Sequence, residues 1–248
     1  MKSFGLSDKG KVRADNQDCF LLELCPEKDC LIAALCDGMG GAKAGGLAST
    51  LSNKTFVSKI YEKLCASPGK VQNYRSLLKT ACSETNGVAH AYSHFSEDFR
   101  GMGTTIVGGV IKSNGSGYII NVGDSRAYLV SPKKDHIRQI TRDHSLVEEL
   151  VRFGAITREE ARVHPQKNII TRALGTEEKV DADYFEFRLG TGELLLLCSD
   201  GLSNMLTDEE ILTIAKETRE PEPFCRKLME RTLETGALDN VTVVAVSK

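Results

Sequence analysis

Short apolar runs of strand length, joined by tight turns that contain glycine, dominate the middle of this chain. The segments GTTIVGGVI, GYIINV and RAYLVS are rich in β-branched and aromatic residues, and only KSNGSG and GDS separate them. Turns this short join antiparallel neighbours, because a parallel pair needs a crossover of a dozen or more residues. CLIAALC, YFEFRL, ELLLLC and VTVVAV have the same strand character. The sequence therefore predicts antiparallel sheets.

Helical periodicity is confined to other parts of the chain. Val57, Ile60, Tyr61 and Leu64 recur at helical spacing, a second helix is predicted over Tyr74 to Tyr92, and TDEEILTIAKET and EPFCRKLMERTLETG are amphipathic. Strands and helices thus segregate more than they alternate, which favours a layered α+β fold over a doubly wound parallel sheet. No repeat or Pro-rich linker divides the 248 residues, so one domain over 1–248 is expected.

Charge and apolar content exclude several functional classes. The formal net charge of -2 and the absence of a basic patch argue against a nucleic-acid partner. The longest apolar runs are far shorter than a bilayer span, and MKSFGLSDKG lacks the apolar region of a secretory signal. A cytoplasmic protein without a membrane partner is therefore expected.

The eight cysteines leave two interpretations open. Cys36, Cys82 and Cys198 lie in apolar patterns, as reduced core cysteines do. Cys19, Cys25, Cys30 and Cys36 lack the close pairs that are typical of a zinc site. Reduced core cysteine is the preferred interpretation, and structural zinc is the alternative.

Four aspartates stand at the ends of four apolar strands. Asp37, Asp124 and Asp200 follow strands and adjoin glycine, and Asp239 precedes the last strand. One such aspartate is usually a turn former or a helix cap. Four can converge at one edge, where carboxylates repel unless a cation neutralises them, and oxygen ligands of this kind favour Mg²⁺ or Mn²⁺.

Two further features adjoin these aspartates. Gly38 lacks a Cβ, so its carbonyl can approach a cation as an additional ligand. A phosphate-binding glycine loop is the weaker interpretation of GMGGAKAGG, because neither GxxxxGK[ST] nor GxGxxG occurs in it. Arg13 precedes Asp18 in GKVRADNQD, and a guanidinium beside a pair of cations suits a phosphate dianion, although an isolated arginine is usually solvated.

Seven motifs taken together resemble a known family. They are RADNQD, CDGMGG, GTT, NVGDSRAY, RALG, CSDGL and DNVTVV, and their order and spacing are similar to those of the metal-dependent serine/threonine protein phosphatases, the PPM or type 2C-like family, in its compact bacterial form. The resemblance implies a four-layer α/β/β/α sandwich of two antiparallel sheets flanked by helices. It also implies hydrolysis of phosphoserine and phosphothreonine on proteins by direct attack of a water that bridges two Mg²⁺ or Mn²⁺ ions.

The resemblance also implies roles for individual residues. Asp37 matches the aspartate that bridges both ions, and Gly38 the carbonyl ligand of the second. The other implied metal ligands are Asp18 (through water), Asp124 (on a possible third ion), Asp200 and Asp239. Arg13 matches the phosphate-binding arginine, and residues 143–174 are similar to the flap beside the active site. The implied partners are phosphorylated proteins and a bacterial Ser/Thr kinase that the enzyme opposes, and a monomer is expected.

Three positions bear on the mechanism. Met39 stands where many eukaryotic relatives have a histidine credited with protonating the leaving group, and Gln17 stands where some relatives have glutamate. The sequence leaves open whether His144, in the flap, has a structural or a catalytic role. Two other functions remain alternatives: a non-catalytic module that binds phosphoproteins, and a small-molecule phosphatase of another fold, for which the early DxD pair is missing.

Overall fold

The computed structural model describes residues 1–66, 69, 71 and 73–248, and two antiparallel sheets form its centre. One sheet has five strands in the order β1-β11-β10-β7-β8, and the other has the order β2-β3-β5-β6-β9, with β4 beside β3. The strands are β1 Lys2–Asp8, β2 Asp18–Cys25, β3 Cys30–Met39, β4 Gly103–Thr104, β5 Ile106–Lys112, β6 Ser116–Val122, β7 Arg126–Ser131, β8 His136–Gln139, β9 Asp183–Arg188, β10 Leu194–Cys198 and β11 Val241–Ser247.

Helices cover the outer face of each sheet. The described helices are α1 Ala42–Ala66, α2 Tyr74–Ser93, α3 Leu146–Arg152, α4 Arg158–Val163, α5 Asp200–Ser203, α6 Asp208–Thr218 and α7 Pro221–Glu234. Phe56 and Ile60 of α1 and Leu78 of α2 pack in one core with the six-stranded sheet. Ile211 of α6 and Phe224 of α7 belong to the core on the five-stranded sheet.

A third apolar core lies between the sheets. Leu35 and Val107 from the six-stranded sheet meet Leu197 and Val244 from the five-stranded sheet there. The layers therefore run helix, sheet, sheet, helix, which confirms the predicted α/β/β/α sandwich. Burial of Ile60 and Leu64 confirms the helical periodicity of α1, and α2 forms as predicted with one more residue at its end.

The β2–β3 hairpin decides which way the first two predicted ligands face. Its residues Cys30, Ile32, Ala34 and Cys36 pack toward α1 and α2, whereas Leu31, Ala33 and Leu35 pack between the sheets. Side chains alternate along a strand, so Asp37 continues the inner set. Asp18 lies directly opposite Asp37 in the pairing register, and Cys25 opposite Cys30 closes the hairpin at the Pro26–Lys28 turn.

The state of the thiols agrees with the preferred interpretation of the cysteines as reduced. All eight cysteines are free, and six of them are buried. None of the described helices combines the length and the apolar character that a bilayer crossing requires.

Candidate metal centre

The predicted metal ligands come together at or near the ends of strands from both sheets. Asp37 lies two residues before the end of β3, and Asp124 lies in the connection from β6 to β7. Asp200 begins α5 just after β10, and Asp239 precedes β11. These four line one cleft of about 410 Å³. Other residues of its wall are Arg13, Gln17, Gly38, Met39, Thr105, Asn168, Ile170 and Asn240.

Asp18 lies beneath this cleft and is buried. Its Oδ2 accepts a hydrogen bond of 2.7 Å from Ser199 Oγ, while Oδ1 has no hydrogen-bond partner among the described residues. Burial raises the pKa of Asp18 to about 6, and the hydrogen bonds from Thr242 and Ser199 offset part of that increase. An unpartnered buried carboxylate oxygen is costly, so this side chain fits a cation or a water held by one.

The backbone of Asp37 is held on both sides. Its N–H donates to Thr105 Oγ1 at 3.0 Å, and its carbonyl accepts from Thr105 N at 2.9 Å and from Thr104 Oγ1 at 2.8 Å. Thr105 Oγ1 also lies 2.8 Å from Ser125 Oγ, next to Asp124. The GTT motif therefore fixes the two aspartates relative to each other, a role that the sequence did not reveal.

Crowding of the carboxylates perturbs each of them. Desolvation and then the charges of Asp18 and Asp200 raise the pKa of Asp37 well above its ordinary value. Desolvation and the charge of Asp200 do the same for Asp124, and desolvation and Asp239 raise the pKa of Asp200 to about 6. Oxygen donors that are crowded and desolvated in this way suit a hard divalent cation, which removes the repulsion.

The carboxylates are close together, but their present orientations do not complete a metal site. No set of three histidine, cysteine or acidic side chains in the described residues is already arranged to hold an ion. Asp200 accepts a hydrogen bond from Asn204 Nδ2, Asp18 accepts one from Ser199, and Asp239 Oδ2 lies 2.7 Å from Arg13 Nη2. One oxygen of each is thus directed at a neighbouring donor, whereas Asp18 Oδ1 and Asp200 Oδ1 have no hydrogen-bond partner among the described residues. Rotation of side chains is needed to complete a coordination shell.

Position 38 requires glycine because neighbouring backbone packs closely against it. A Cβ built on it lies 2.1 Å from the Gly45 carbonyl oxygen of α1 and 2.8 Å from the Gln17 carbonyl oxygen. The Gly38 N–H donates to that Gln17 carbonyl at 3.2 Å. Glycine therefore lets α1 and the N-terminal loop close around the end of β3, and Gly38 itself lines the cleft.

Asn240 ties the N-terminal loop to the start of β11. Its Nδ2 donates to the carbonyls of Lys9 and Asp15, each at 2.9 Å, and its Oδ1 accepts from Gln17 N at 2.9 Å. These bonds hold the loop that carries Arg13. The only sequence signal for this residue is its place next to Asp239.

The segment for which the sequence predicts a flap contributes two residues to the cleft wall. Residues 143–174 contain α3 and α4, and Asn168 and Ile170 reach the cleft wall. A neighbouring cavity of about 310 Å³ lies between the flap and the start of α6, and it shares Asp124 and Asp200 with the cleft. The two spaces therefore meet at the carboxylate cluster.

Neither Met39 nor His144 is placed to donate a proton at the cleft. Met39 lines it but has no titratable group, and its Cε lies 2.8 Å from a Cβ built on Gly103. His144 is buried, and both of its ring nitrogens face protein groups: Nδ1 faces Gly123 N–H, and Nε2 faces Asp183 and Arg172. The ring of His144 is therefore engaged by protein groups on both edges.

Comparisons with known proteins agree with this arrangement. A sequence profile of the family described as Protein phosphatase 2C matches residues 10–241. The serine/threonine phosphatase stp of Listeria innocua is 37% identical over 243 residues, which are 98% of this chain and 94% of that protein.

Solved structures give the same result. The serine/threonine phosphatase Stp1 of Staphylococcus aureus superposes with a TM-score of 0.89 at 34% identity, covering 100% of this chain and 94% of that one. The catalytic domain of the serine/threonine protein phosphatase PstP, in complex with two manganese ions, has a TM-score of 0.81 at 33% identity and covers 98% of this chain and 96% of its own.

Proposed function

This chain belongs to the protein phosphatase 2C family and is a metal-dependent serine/threonine protein phosphatase, and we propose that its aspartate cluster is the metal centre. The proposed ligands are Asp18 (through water), Asp37, Gly38 (through its carbonyl), Asp124, Asp200 and Asp239. The observation that carries this proposal is the convergence of Asp37, Asp124, Asp200 and Asp239 on a single cleft. Desolvation and neighbouring carboxylates raise the pKa of the first three. The family uses Mg²⁺ or Mn²⁺.

Two cations held here supply Lewis acidity to the phosphoryl oxygens and lower the pKa of water enough for it to act as a nucleophile at neutral pH. The chain's own residues orient the ligands. Thr104 and Thr105 fix the backbone of Asp37, and Ser199 orients one oxygen of Asp18. Asp124 has raised pKa at the border of the two cavities, and we propose it as a ligand of a third, weaker ion shared with Asp200.

Arg13 is proposed to bind the substrate phosphoryl group. Its side chain is 57% exposed and is paired with Asp239, which is 38% exposed. An ion pair this exposed is worth about 0–1 kcal/mol, so exchange of partners is cheap. When Asp239 turns toward a cation, the guanidinium fork becomes available to two phosphoryl oxygens, for which its planar geometry is suited.

Protonation of the leaving oxygen is assigned to solvent. Met39 has no proton to give, and His144 is engaged away from the cleft. A serine or threonine alkoxide formed here therefore takes its proton from water that reaches the open cleft. The rate of hydrolysis is then expected to fall as the leaving group becomes more basic. Rates for a series of aryl phosphates with graded leaving-group pKa values measure this dependence.

The substrates proposed are phosphorylated proteins, including the targets of a bacterial serine/threonine kinase that this enzyme opposes. The proposal rests on the names of the relatives, which are serine/threonine phosphatases. We propose further that residues 1–248 act as a single catalytic domain with residues 143–174 as its flap. A cytoplasmic location is proposed because free buried cysteines are typical of reducing compartments.

The test is phosphate release from a phosphothreonine peptide in Mn²⁺. Asp239→Asn is expected to lose at least about 10-fold in kcat/KM, since altered metal shells cost 10–100-fold. Asp181→Asn is the matched control, because Asp181 is 75% exposed, pairs with Lys79 and does not line the cleft. Equal rates for Asp239→Asn and the control disprove the assignment of the metal centre.

A further inference from the structure

His144 makes a reciprocal contact with the residue that precedes Asp124. The His144 N–H donates to the Gly123 carbonyl at 2.9 Å, and the Gly123 N–H donates to His144 Nδ1 at 3.1 Å. Both polar groups of the Gly123 backbone are therefore bonded to one flap residue. Asn121 Nδ2 adds a second bond to the Gly123 carbonyl at 3.1 Å and also reaches the Arg142 carbonyl.

The other side of the ring is fixed to strand β9. His144 Nε2 lies 3.4 Å from Asp183 Oδ2, and the same carboxylate pairs with Arg142 at 3.1 Å and Arg172 at 3.2 Å. Because Gly123 N–H donates to Nδ1, that nitrogen carries no proton, so the neutral ring carries its proton on Nε2, toward Asp183. The ring therefore spans from the β6–β7 connection to β9.

Gly123 has little freedom to adopt another position. Its φ of +103° is left-handed, and a Cβ built on it lies 2.5 Å from Thr105 Cγ2. Thr105 in turn holds the backbone of Asp37. Without an acceptor at His144 Nδ1, the Gly123 N–H is left unpaired at a buried position, and the connection that presents Asp124 loses a support.

We propose that His144 is a positioning residue that holds Asp124 toward the carboxylate cluster. Its Nδ1 accepts the Gly123 N–H, and its Nε2 braces the ring against Asp183. It touches neither substrate nor cation. The inference rests on the proposed role of Asp124 as a metal ligand. It links the base of the flap to the weaker ion of the site through one imidazole ring.

Two substitutions separate the two ends of the ring. His144→Asn keeps an oxygen near the position of Nδ1 and loses the contact with Asp183, whereas His144→Gln places its amide near the position of Nε2 and loses the acceptor for Gly123. Mn²⁺ binding is measured by calorimetric titration of each full-length protein, beside kcat and KM for a phosphothreonine peptide and the thermal midpoint. Asp183→Asn and Asp124→Asn complete the set.

His144→Gln is expected to weaken the weaker Mn²⁺ binding step by about 10-fold, as outer-shell substitutions do. His144→Asn and Asp183→Asn keep an acceptor for Gly123 and lose only the brace, so they are expected to weaken that step less than His144→Gln. The KM for the peptide stays unchanged in both His144 variants, since neither removes a contact to the phosphoryl group. A lower thermal midpoint for His144→Gln with unchanged Mn²⁺ binding overturns the inference, because it shows a role in stability alone. Equal weakening in His144→Asn and His144→Gln also overturns it, since the Nδ1 acceptor is then irrelevant.

Asp124→Asn distinguishes this inference from its premise. If Asp124→Asn leaves every Mn²⁺ binding step unchanged, the proposed role of Asp124 fails. If Asp124→Asn weakens binding and His144→Gln does not, Asp124 remains a ligand and the positioning role of His144 alone fails.

Discussion

Replacing Asp18 with asparagine is expected to stabilise the protein in a chelator, although it removes part of the proposed metal centre. Burial raises the pKa of Asp18 from 3.8 to about 6, so its charge is disfavoured in the fold. A carboxyl group with a raised pKa contributes stability at low pH, and that contribution is lost as pH rises through about 6. At pH 7.5 the ionised group therefore costs about 3 kcal/mol, from roughly 2 pKa units at about 1.4 kcal/mol each. The asparagine is never charged and keeps an oxygen that can accept from Ser199.

The assay is urea unfolding followed by circular dichroism in EDTA. The free energy of unfolding of Asp18→Asn is expected to exceed that of the parent by about 3 kcal/mol at pH 7.5 and by about half as much at pH 5. In saturating Mn²⁺ the order reverses, because the ion stabilises the parent by binding its folded form. Equal stability of the two proteins in EDTA at pH 7.5, or a difference that does not change with pH, refutes the electrostatic reasoning. Asp181→Asn, at an exposed position, is the control.

Two more predictions concern the packing around the site. Gly38→Ala is expected to lower the free energy of unfolding by about 1–3 kcal/mol or more, because its Cβ meets the Gly45 carbonyl at 2.1 Å. Gly46→Ala is the matched control. Its nearest contact is at 4.0 Å, so its effect on the free energy of unfolding is expected to be neutral or stabilising. Urea unfolding measures both, and a stable Gly38→Ala contradicts the close approach of α1. Asn240→Ala removes three hydrogen bonds to the N-terminal loop. It is expected to lower the free energy of unfolding by roughly 2–4 kcal/mol and to speed amide hydrogen exchange in residues 9–17. Unchanged exchange in that loop contradicts the tethering role of Asn240.

The layered fold was predictable because its signals are local. Short turns such as GDS and KSNGSG demand antiparallel neighbours, and the helical periodicity of α1 and α2 is clear in the sequence. The layers follow once each sheet has one face toward helices and one toward the other sheet, and the structure confirms them. The aspartates at strand ends were likewise visible in the sequence, and the structure brings them together from both sheets, Asp37 from β3 and Asp200 and Asp239 from beside β10 and β11.

The contacts that support those aspartates were not predictable from the sequence. Asn240 bonds to Lys9, Asp15 and Gln17 across nearly the whole chain, and Ser199 reaches Asp18. Such bonds depend on the final three-dimensional path of the loops, and no periodicity encodes them. The pairing of Arg13 with Asp239 is of the same kind, because it joins two partly exposed side chains that are 226 positions apart.

The role of His144 shows a second limit. The sequence placed it in the predicted flap, but only the structure reveals that Gly123 and Asp183 occupy the two edges of the ring. A histidine's chemistry is set by what its two nitrogens face, and neither partner is adjacent to it in sequence. Proximity in sequence to a functional motif therefore could not separate a proton donor from a buried support.

The register of the β2–β3 hairpin also bears on the order of assembly. Asp18 and Asp37 are brought together by a local hairpin, whereas Asp200 and Asp239 arrive from the far end of the chain on β10 and β11. Local contacts close at lower entropic cost than distant ones, so Asp18 and Asp37 can come together before Asp200 and Asp239 dock. The full repulsion among the carboxylates therefore arises only in the last folding step, when the C-terminal strand docks. Stopped-flow refolding is expected to show Mn²⁺ accelerating this late step and leaving hairpin formation unchanged.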